Sequence, residues 1–104
     1  MAEKIEILWT NRAKKDLKNI YEFSCQTIEE LKAFDIVTKL IEKVEVLYSF
    51  PLIGQKEPKF EELKHHYRRL ILSYYKIIYH QRNNTIYINR VFNTRQNPKK
   101  LTIR

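Results

Sequence analysis

A short turn in the last third of the chain constrains the fold more than any other stretch. Residues 75–81 and 85–91 are rich in Ile, Tyr and Val, the residue types that suit a pleated, half-buried surface. The pair Asn83-Asn84 lies between them, and asparagine tolerates positive φ better than most residues. The sequence therefore predicts a β-hairpin closed by a two-residue type I′ turn, with Tyr67–Leu72 as a third strand before it.

The turn also fixes which side chains share a face of the hairpin, because register decides the faces of a strand pair. One predicted face is mostly apolar and is expected to meet a core. The other carries cations, an imidazole, a phenol and an amide, and is expected to look outward. The apolar face holds Tyr75, Ile77, Tyr79, Gln81, Ile86, Ile88, Arg90 and Phe92. The outward face holds Lys76, Ile78, His80, Arg82, Thr85, Tyr87, Asn89 and Val91.

The charge of the chain is divided unevenly between its two parts. Residues 1–63 hold 10 Lys and Arg against 12 Asp and Glu. Residues 64–104 hold 10 Lys and Arg and no acidic residue. Since a solvated face usually mixes charges of both signs, the C-terminal part is expected to meet polyanions or an acidic protein.

The composition is typical of a single globular domain over residues 1–104, with 43% hydrophobic residues and one glycine. The single cysteine, Cys25, excludes an internal disulfide, which fits a reducing cytoplasm. No apolar run approaches the ~18 residues that a membrane helix needs. The adjacent pair His65-His66 has no carboxylate or thiol at ligand spacing. We therefore expect a cytoplasmic protein with no membrane segment, no metal and no cofactor.

Two amphipathic helices precede the hairpin. Thr10 is the expected N-cap of the first, in which residues 13–24 repeat apolar positions at three- and four-residue spacing. Thr27 and Glu30 form the pattern of a capping box for the second helix. That helix is expected to run from about Ile28 to Ser49, because a proline soon follows. The two helices are expected to form an antiparallel hairpin that packs through its apolar stripes.

The predicted element order is β-α-α-β-β-β, an α+β fold. The N-terminal strand, Lys4–Trp9, cannot stand alone and is expected to pair with the mainly antiparallel C-terminal sheet. The helix hairpin then covers the apolar face of that sheet and leaves its basic face open, which gives two layers.

The ordered series of motifs resembles the RelE/ParE toxins of bacterial type II toxin–antitoxin pairs, over nearly the whole chain. The matching stretches are Ile7-Leu8-Trp9-Thr10, Ala13 with Asp16-Leu17 and Ile20-Tyr21, Phe50-Pro51 with Gly54, Arg69, residues 75–79, Arg90-Val91, and residues 95–101. The resemblance implies the fold predicted above. It also implies a plasmid-stabilisation-type toxin that is neutralised by a co-expressed acidic antitoxin.

The resembled family divides by mechanism. RelE-like members cut mRNA in the ribosome, whereas ParE-like members poison DNA gyrase without being nucleases. The basic residues of the RelE-like site map here onto Lys76 and Arg95, with Arg69 nearby in the motif. Its proton-transfer positions map onto Asn93 and Leu101, and neither side chain can exchange a proton near neutral pH. The resemblance therefore favours the ParE-like branch.

Three functions stay open at this point. The first is gyrase poisoning, the second is ribosome-dependent mRNA cleavage, and the third is a non-toxic relative that binds only antitoxin or nucleic acid. The predicted target-binding residues are Arg69, Lys76, Arg95, Lys99 and Lys100. The candidate catalytic residues for mRNA cleavage are Lys76, His80, Tyr87 and Arg95. His80 and Tyr87 match no catalytic position of the family, but the predicted register places them opposite each other across the hairpin.

Arg90 stands apart from the other cations, because the predicted register places it on the apolar face. It is expected to be a structural or site cation paired with an acid of a helix, since buried charges need partners. The expected partners of the protein are an acidic antitoxin and either gyrase or the ribosome with its mRNA. The sequence leaves open whether it forms a homodimer or a toxin–antitoxin hetero-oligomer.

Overall fold

The computed structural model describes residues 4–103 and places two helices on one face of a five-stranded sheet. The elements are β1 (Glu6–Trp9), α1 (Asn11–Thr27), α2 (Glu30–Val44), β2 (Gln55–Lys56), β3 (Arg68–Leu72), β4 (Tyr75–Arg82) and β5 (Thr85–Asn93). The strand order is β1-β5-β4-β3-β2, with β1 parallel to β5 and the other neighbours antiparallel. The predicted α+β fold is confirmed, and the two-residue strand β2 is additional to it.

The two predicted helix caps have different outcomes. Thr10 is the N-cap of α1, as predicted, and its hydroxyl also donates to the Ile88 carbonyl at 2.9 Å. The capping box at Thr27 is wrong, because Thr27 is the last residue of α1 and its hydroxyl donates to the Phe23 carbonyl at 2.9 Å. Helix α2 begins at Glu30 without a side-chain cap. The hydroxyl that the prediction assigned to α2 is thus used within α1.

The loop after α2 is held against the core by one tyrosine. Helix α2 ends at Val44, earlier than predicted, and a 3-10 turn over Glu45–Tyr48 continues it. The Tyr79 hydroxyl donates to the Pro51 carbonyl at 3.0 Å and accepts from the Gly54 amide at 2.9 Å. A Cβ on Gly54 would lie 2.6 Å from that hydroxyl oxygen. The loop therefore approaches the sheet too closely for any other residue at position 54.

The predicted hairpin register is right near the turn and wrong beyond Asn89. Arg82 pairs with Thr85, so the turn has two residues, but only Asn83 has a positive φ (54°), which type I′ does not allow. Ile78 pairs with Arg90 and Tyr79 pairs with Ile88, so Asn89 is the extra residue of a β-bulge. Because a bulge shifts the alternation by one residue, every β5 side chain after Asn89 lies on the face opposite to the predicted one.

The faces of the sheet carry two separate hydrophobic clusters. The helix-side cluster joins α1 and α2 to the sheet, and the second cluster lies on the other face. The helix-side cluster contains Ala13, Leu40, Val44, Leu47, Leu70, Ile77, Tyr79, Ile86, Ile88 and Val91. The second cluster contains Phe60, Tyr67, Ile78, Phe92 and Leu101. The expectation of an open basic face is therefore wrong, because segments before β3 and after β5 cover part of it.

Candidate functional site

A buried carboxylate pairs with two cations on the sheet face that carries the second cluster. The side chain of Glu57 is 2% exposed, and its oxygens lie 3.1 Å from Lys76 Nζ and 3.2 Å from Arg69 Nη1. Lys76 lies on β4 and Arg69 on β3, whereas Glu57 precedes a 3-10 turn over Pro58–Phe60. Glu57 was not among the predicted site residues, because the basic stretch after residue 63 holds no acid and Glu57 precedes that stretch.

Lys76 and Arg69 therefore lie on one side of the sheet, but they are not unpaired cations. The Lys76 side chain is 16% exposed and the Arg69 side chain 28%. The Arg69 Nε is buried and is the one such side-chain atom in the described chain that has no hydrogen-bond partner. Although residues 64–104 hold no acidic residue, Lys76 pairs with the carboxylate of Glu57.

His80 and Tyr87 face each other across the hairpin, as predicted. Their rings are stacked with centroids 5.1 Å apart, and the His65 ring stacks on the other side of His80 at 4.3 Å. Tyr67 meets His80 edge-on at 5.2 Å. His80 is buried rather than exposed, because Tyr67 and His65 cover it. The three stacked rings border an open pocket of about 490 Å³ that also holds Asn89.

The protonation of His80 follows from its neighbours. Its Nδ1 lies 2.7 Å from Oδ1 of Asn89, and a carbonyl oxygen can only accept, so Nδ1 carries the proton. Burial lowers the pKa of His80 below its ordinary value of 6.5, the Asn89 hydrogen bond opposes this, and the nearby His65 and Arg82 add to the lowering. The ring is therefore neutral near pH 7, with Nε2 unprotonated. The bulge at Asn89 delivers the residue that fixes this tautomer.

The lowered pKa of His80 predicts a loss of stability on acidification. The unfolded chain takes up a proton near pH 6.5, whereas the folded chain does so only at lower pH. The contribution is therefore fully present above pH 6.5 and is lost as the pH falls below it. We expect the melting temperature to fall between pH 7.5 and pH 5.5, and to fall less in His80→Phe. His66→Phe is the control, because His66 is exposed, and an equal pH dependence in all three proteins contradicts the prediction.

Arg90 makes the ion pair with a helix acid that the sequence predicted. Its Nε donates to Asp16 Oδ2 at 2.8 Å, and its Nη1 donates to the Thr102 carbonyl. The Val91 amide donates to the same Asp16 oxygen at 2.9 Å. The predicted position of Arg90 on the apolar face is wrong, because Arg90 pairs with Ile78 of the second cluster. Strand β1 ends opposite Ile88, so Asp16 bonds the β5 edge just beyond it.

Asn93 and Leu101, which map onto the proton-transfer positions of RelE-like proteins, make a hydrogen bond and a packing contact within the fold. Leu101 is 2% exposed within the second cluster. Asn93 accepts a hydrogen bond from the Arg95 amide at 2.9 Å through its side-chain oxygen. Neither group can take up or release a proton near neutral pH.

The remaining predicted cations lie after β5 and are exposed. The Arg95 guanidinium carbon lies 3.9 Å from the centre of the Tyr74 ring, a cation–π contact. Lys99 and Lys100 lie in a 3-10 turn over Pro98–Lys100. Arg95 and Lys76 thus have different surroundings, since one stacks on Tyr74 and the other is held by Glu57. No carboxylate in the described chain forms a salt bridge with Arg95, Lys99 or Lys100.

A groove of about 660 Å³ lies between the helix hairpin and the β3–β4 turn. Phe23 of α1 and Ile28 after it line the groove and are 62% and 54% exposed. Tyr74 and Arg95 also line the groove, as do Lys39 of α2 and its ion-pair partner Asp35, whose charged atoms are 2.9 Å apart. Sequence periodicity alone misses this groove, because its walls come from four separate segments.

Neither a cluster of metal ligands nor a membrane-spanning helix is found among the described residues. Between residues 4 and 103 no group of three His, Cys, Asp or Glu side chains is placed to hold a metal ion. No helix in the same stretch is both long and apolar enough to cross a membrane.

The fold places the chain in the class of small α+β proteins in which a helix hairpin covers one face of a five-stranded sheet. A model of the ParE toxin of the type II toxin–antitoxin system parDE matches residues 7–98, and the chain belongs to this family. A solved structure described as the chromosomal ParDE TA system from P. aeruginosa is similar at a TM-score of 0.75 and 24% identity. That alignment covers 88% of this chain and 98% of the other, and shows the fold. No curated protein sequence matches the chain.

Proposed function

We propose that the protein is a growth-inhibiting toxin that poisons DNA gyrase and that a co-expressed acidic antitoxin neutralises it. The choice of the ParE-like branch over mRNA cleavage rests on the residues at positions 93 and 101, Asn93 and Leu101. RNA cleavage by attack of a 2′-hydroxyl needs a base and an acid, and these positions hold an amide and a buried aliphatic side chain. A protein that acts by binding needs neither group. Membership of the ParE toxin family supports the same branch.

The proposed target surface is the basic side of the sheet with the segment after β5. Arg95, Lys99 and Lys100 are exposed, so they can contact a gyrase–DNA complex directly. Arg69 and Lys76 belong to the same proposed surface, but Glu57 offsets part of their charge. Charge of one sign on an exposed surface steers an anionic target and raises its association rate.

The proposed antitoxin site is the groove at the helix hairpin. Its exposed apolar residues, Phe23 and Ile28, suit the apolar face of an amphipathic segment. Arg95 at its wall suits the carboxylates of an acidic partner, whereas Lys39 is already paired with Asp35 of the same groove at 2.9 Å. The chain carries a formal net charge of +8. A disordered acidic tail that folds on binding can occupy such a groove.

A second candidate function, ribosome-dependent mRNA cleavage, rests on one observation. His80 is neutral with Nδ1 held by Asn89, and Tyr87 stacks on it. A neutral imidazole is a competent general base near pH 7. If His80 acts in this way, His80→Ala lowers cleavage by ~10²–10⁴-fold, the usual contribution of such a group.

Expression of the protein alone is expected to arrest growth, induce a DNA-damage response and inhibit purified gyrase, while mRNA on translating ribosomes stays intact. The triple variant Arg95→Gln, Lys99→Gln, Lys100→Gln is expected to lose most gyrase inhibition, because it removes the exposed cations of the proposed surface. Its matched control is Lys14→Gln, Lys15→Gln, Lys18→Gln on the outer side of α1, which removes the same charge from exposed positions. The control is expected to inhibit like the parent.

Different failures of this experiment have different meanings. Unimpaired growth at high expression of folded protein contradicts the toxin function and favours a non-toxic relative. Codon-phased mRNA cuts with unaffected gyrase contradict the target and establish the second candidate. Equal loss of inhibition in both triple variants contradicts the proposed surface but not the target.

A further inference from the structure

We propose that Lys76 and Arg69 form an anion site for the phosphate backbone of a nucleic acid, and that Glu57 masks this site from within the chain. The inference deepens the proposed function and rests on it, because both cations belong to the proposed target surface. It differs from that proposal in assigning a blocking role to a residue of the protein itself.

The positions of the three side chains favour a fixed site with a movable cover. Lys76 and Arg69 lie on β4 and β3, which are paired along five residues of each strand. Glu57 directly follows the two-residue strand β2, and its amide donates to the Tyr67 carbonyl at 2.9 Å. Its backbone is thus held by a shorter ladder than the five pairs that join β3 to β4. Elements with few backbone ladders open at lower free energy than paired strands. The cations therefore stay in place when the carboxylate leaves.

The charges of the cluster are incompletely satisfied. Two cations share one carboxylate, and the buried Nε of Arg69 donates to nothing in the described chain. A guanidinium binds carboxylate or phosphate best through two parallel N–H donors, and Glu57 engages one of them, Nη1. A phosphate brings more oxygens than a carboxylate and can contact Nη1 of Arg69 together with the ammonium of Lys76.

The surroundings favour a nucleic acid over a small anion. Arg82 follows Lys76 along β4 on the same face, six residues away, which corresponds to roughly 20 Å of strand. A backbone with phosphates in series can contact both positions, whereas a single phosphate can contact only one. The sequence after residue 63 contains no acid that would repel such a ligand.

The test compares Glu57→Gln with the parent in binding a short fluorescein-labelled oligothymidylate over a salt series. Unmasking two cations is expected to raise the affinity about tenfold at about 50 mM salt and to steepen the log–log salt dependence by about 1.4, because each engaged cation adds about 0.7 on a single strand. Adding Lys76→Gln to Glu57→Gln is expected to reverse about half of the steepening. Glu61→Gln is the matched control, since it removes the same charge from an exposed position of the same segment.

Every outcome decides between masking and a purely structural ion pair. Equal affinities of Glu57→Gln and Glu61→Gln overturn the proposal, because the effect then comes from net charge alone. An equal gain in affinity for a polyglutamate peptide overturns the assignment of a nucleic acid. If Glu57→Gln does not fold, Glu57→Asp retracts the carboxylate by one methylene, and parent-like oligonucleotide binding by that variant overturns the proposal. These measurements do not involve gyrase, so they fail independently of the proposed target.

Discussion

Asp16→Ala is expected to lower the free energy of unfolding by about 3–5 kcal/mol, because removal of one partner leaves a buried charge uncompensated. The Arg90 side chain is 5% exposed and loses its only carboxylate within the described chain. The Val91 amide at the β5 edge loses its acceptor as well. For a domain of this size such a loss lowers the melting temperature by more than about 10 °C. Arg90→Ala is expected to act in the same direction, and thermal melting measures both.

The matched control for Asp16 is Asp35, which also belongs to a helix and forms an ion pair. Asp35 and Lys39 are 59% and 61% exposed, and exposed pairs contribute about 0–1 kcal/mol. Asp35→Ala is therefore expected to melt close to the parent. If Asp16→Ala and Asp35→Ala melt alike, the bond between α1 and the edge of β5 does not stabilise the fold as we expect.

The hairpin near its turn could be predicted from sequence because its causes are local. Two asparagines between two strand-forming runs set a two-residue loop, and the loop set the pairing of His80 with Tyr87. The turn type was not predictable at the same level. Asn83 has positive φ and Asn84 does not, whereas a type I′ turn needs positive φ at both residues. Asparagine tolerates either sign of φ, so the residue types do not distinguish the related two-residue turns.

The bulge at Asn89 limited the prediction of faces. Strand alternation assumes one residue opposite one residue, and a single extra residue inverts everything beyond it. Val91 and Phe92 are both apolar, so either assignment of the two faces buries one apolar side chain in each cluster. The sequence pattern therefore could not locate the bulge.

The candidate site was predicted in its residue types and not in its pairing. The cations Arg69 and Lys76 were identified, but their acid Glu57 lies 12 and 19 residues away along the chain. Counting charges by segment separates residues that the fold brings together. Arg90 was predicted better, because burial of a guanidinium requires an acid wherever the chain supplies one. The groove at the helix hairpin could not be predicted, since exposed apolar residues reveal a surface only once their neighbours are placed.

Phe23→Ser is expected to weaken binding of the acidic antitoxin by about 10- to 100-fold, because buried aromatic anchors carry most of the energy at interfaces. Phe23 lines the groove and is 62% exposed in the isolated chain, so the substitution removes little from the core. Toxicity is expected to persist, while the protein encoded beside the toxin no longer restores growth at normal expression. Titration of the purified pair measures the affinity, and growth on co-expression measures the rescue.

Phe34→Ser is the control for this position, because Phe34 is the same residue type at 64% exposure and does not line the groove. It is expected to keep antitoxin binding within about threefold of the parent, as most residues outside a binding centre do. Adding Lys39→Gln to Phe23→Ser removes the cation that pairs with Asp35 in the groove. The unpaired Asp35 then repels an acidic partner, so the association rate and its salt dependence are expected to fall. If Phe34→Ser loses rescue and Phe23→Ser keeps it, the antitoxin binds the other side of α2. If both variants keep rescue, the antitoxin site lies away from the helix hairpin.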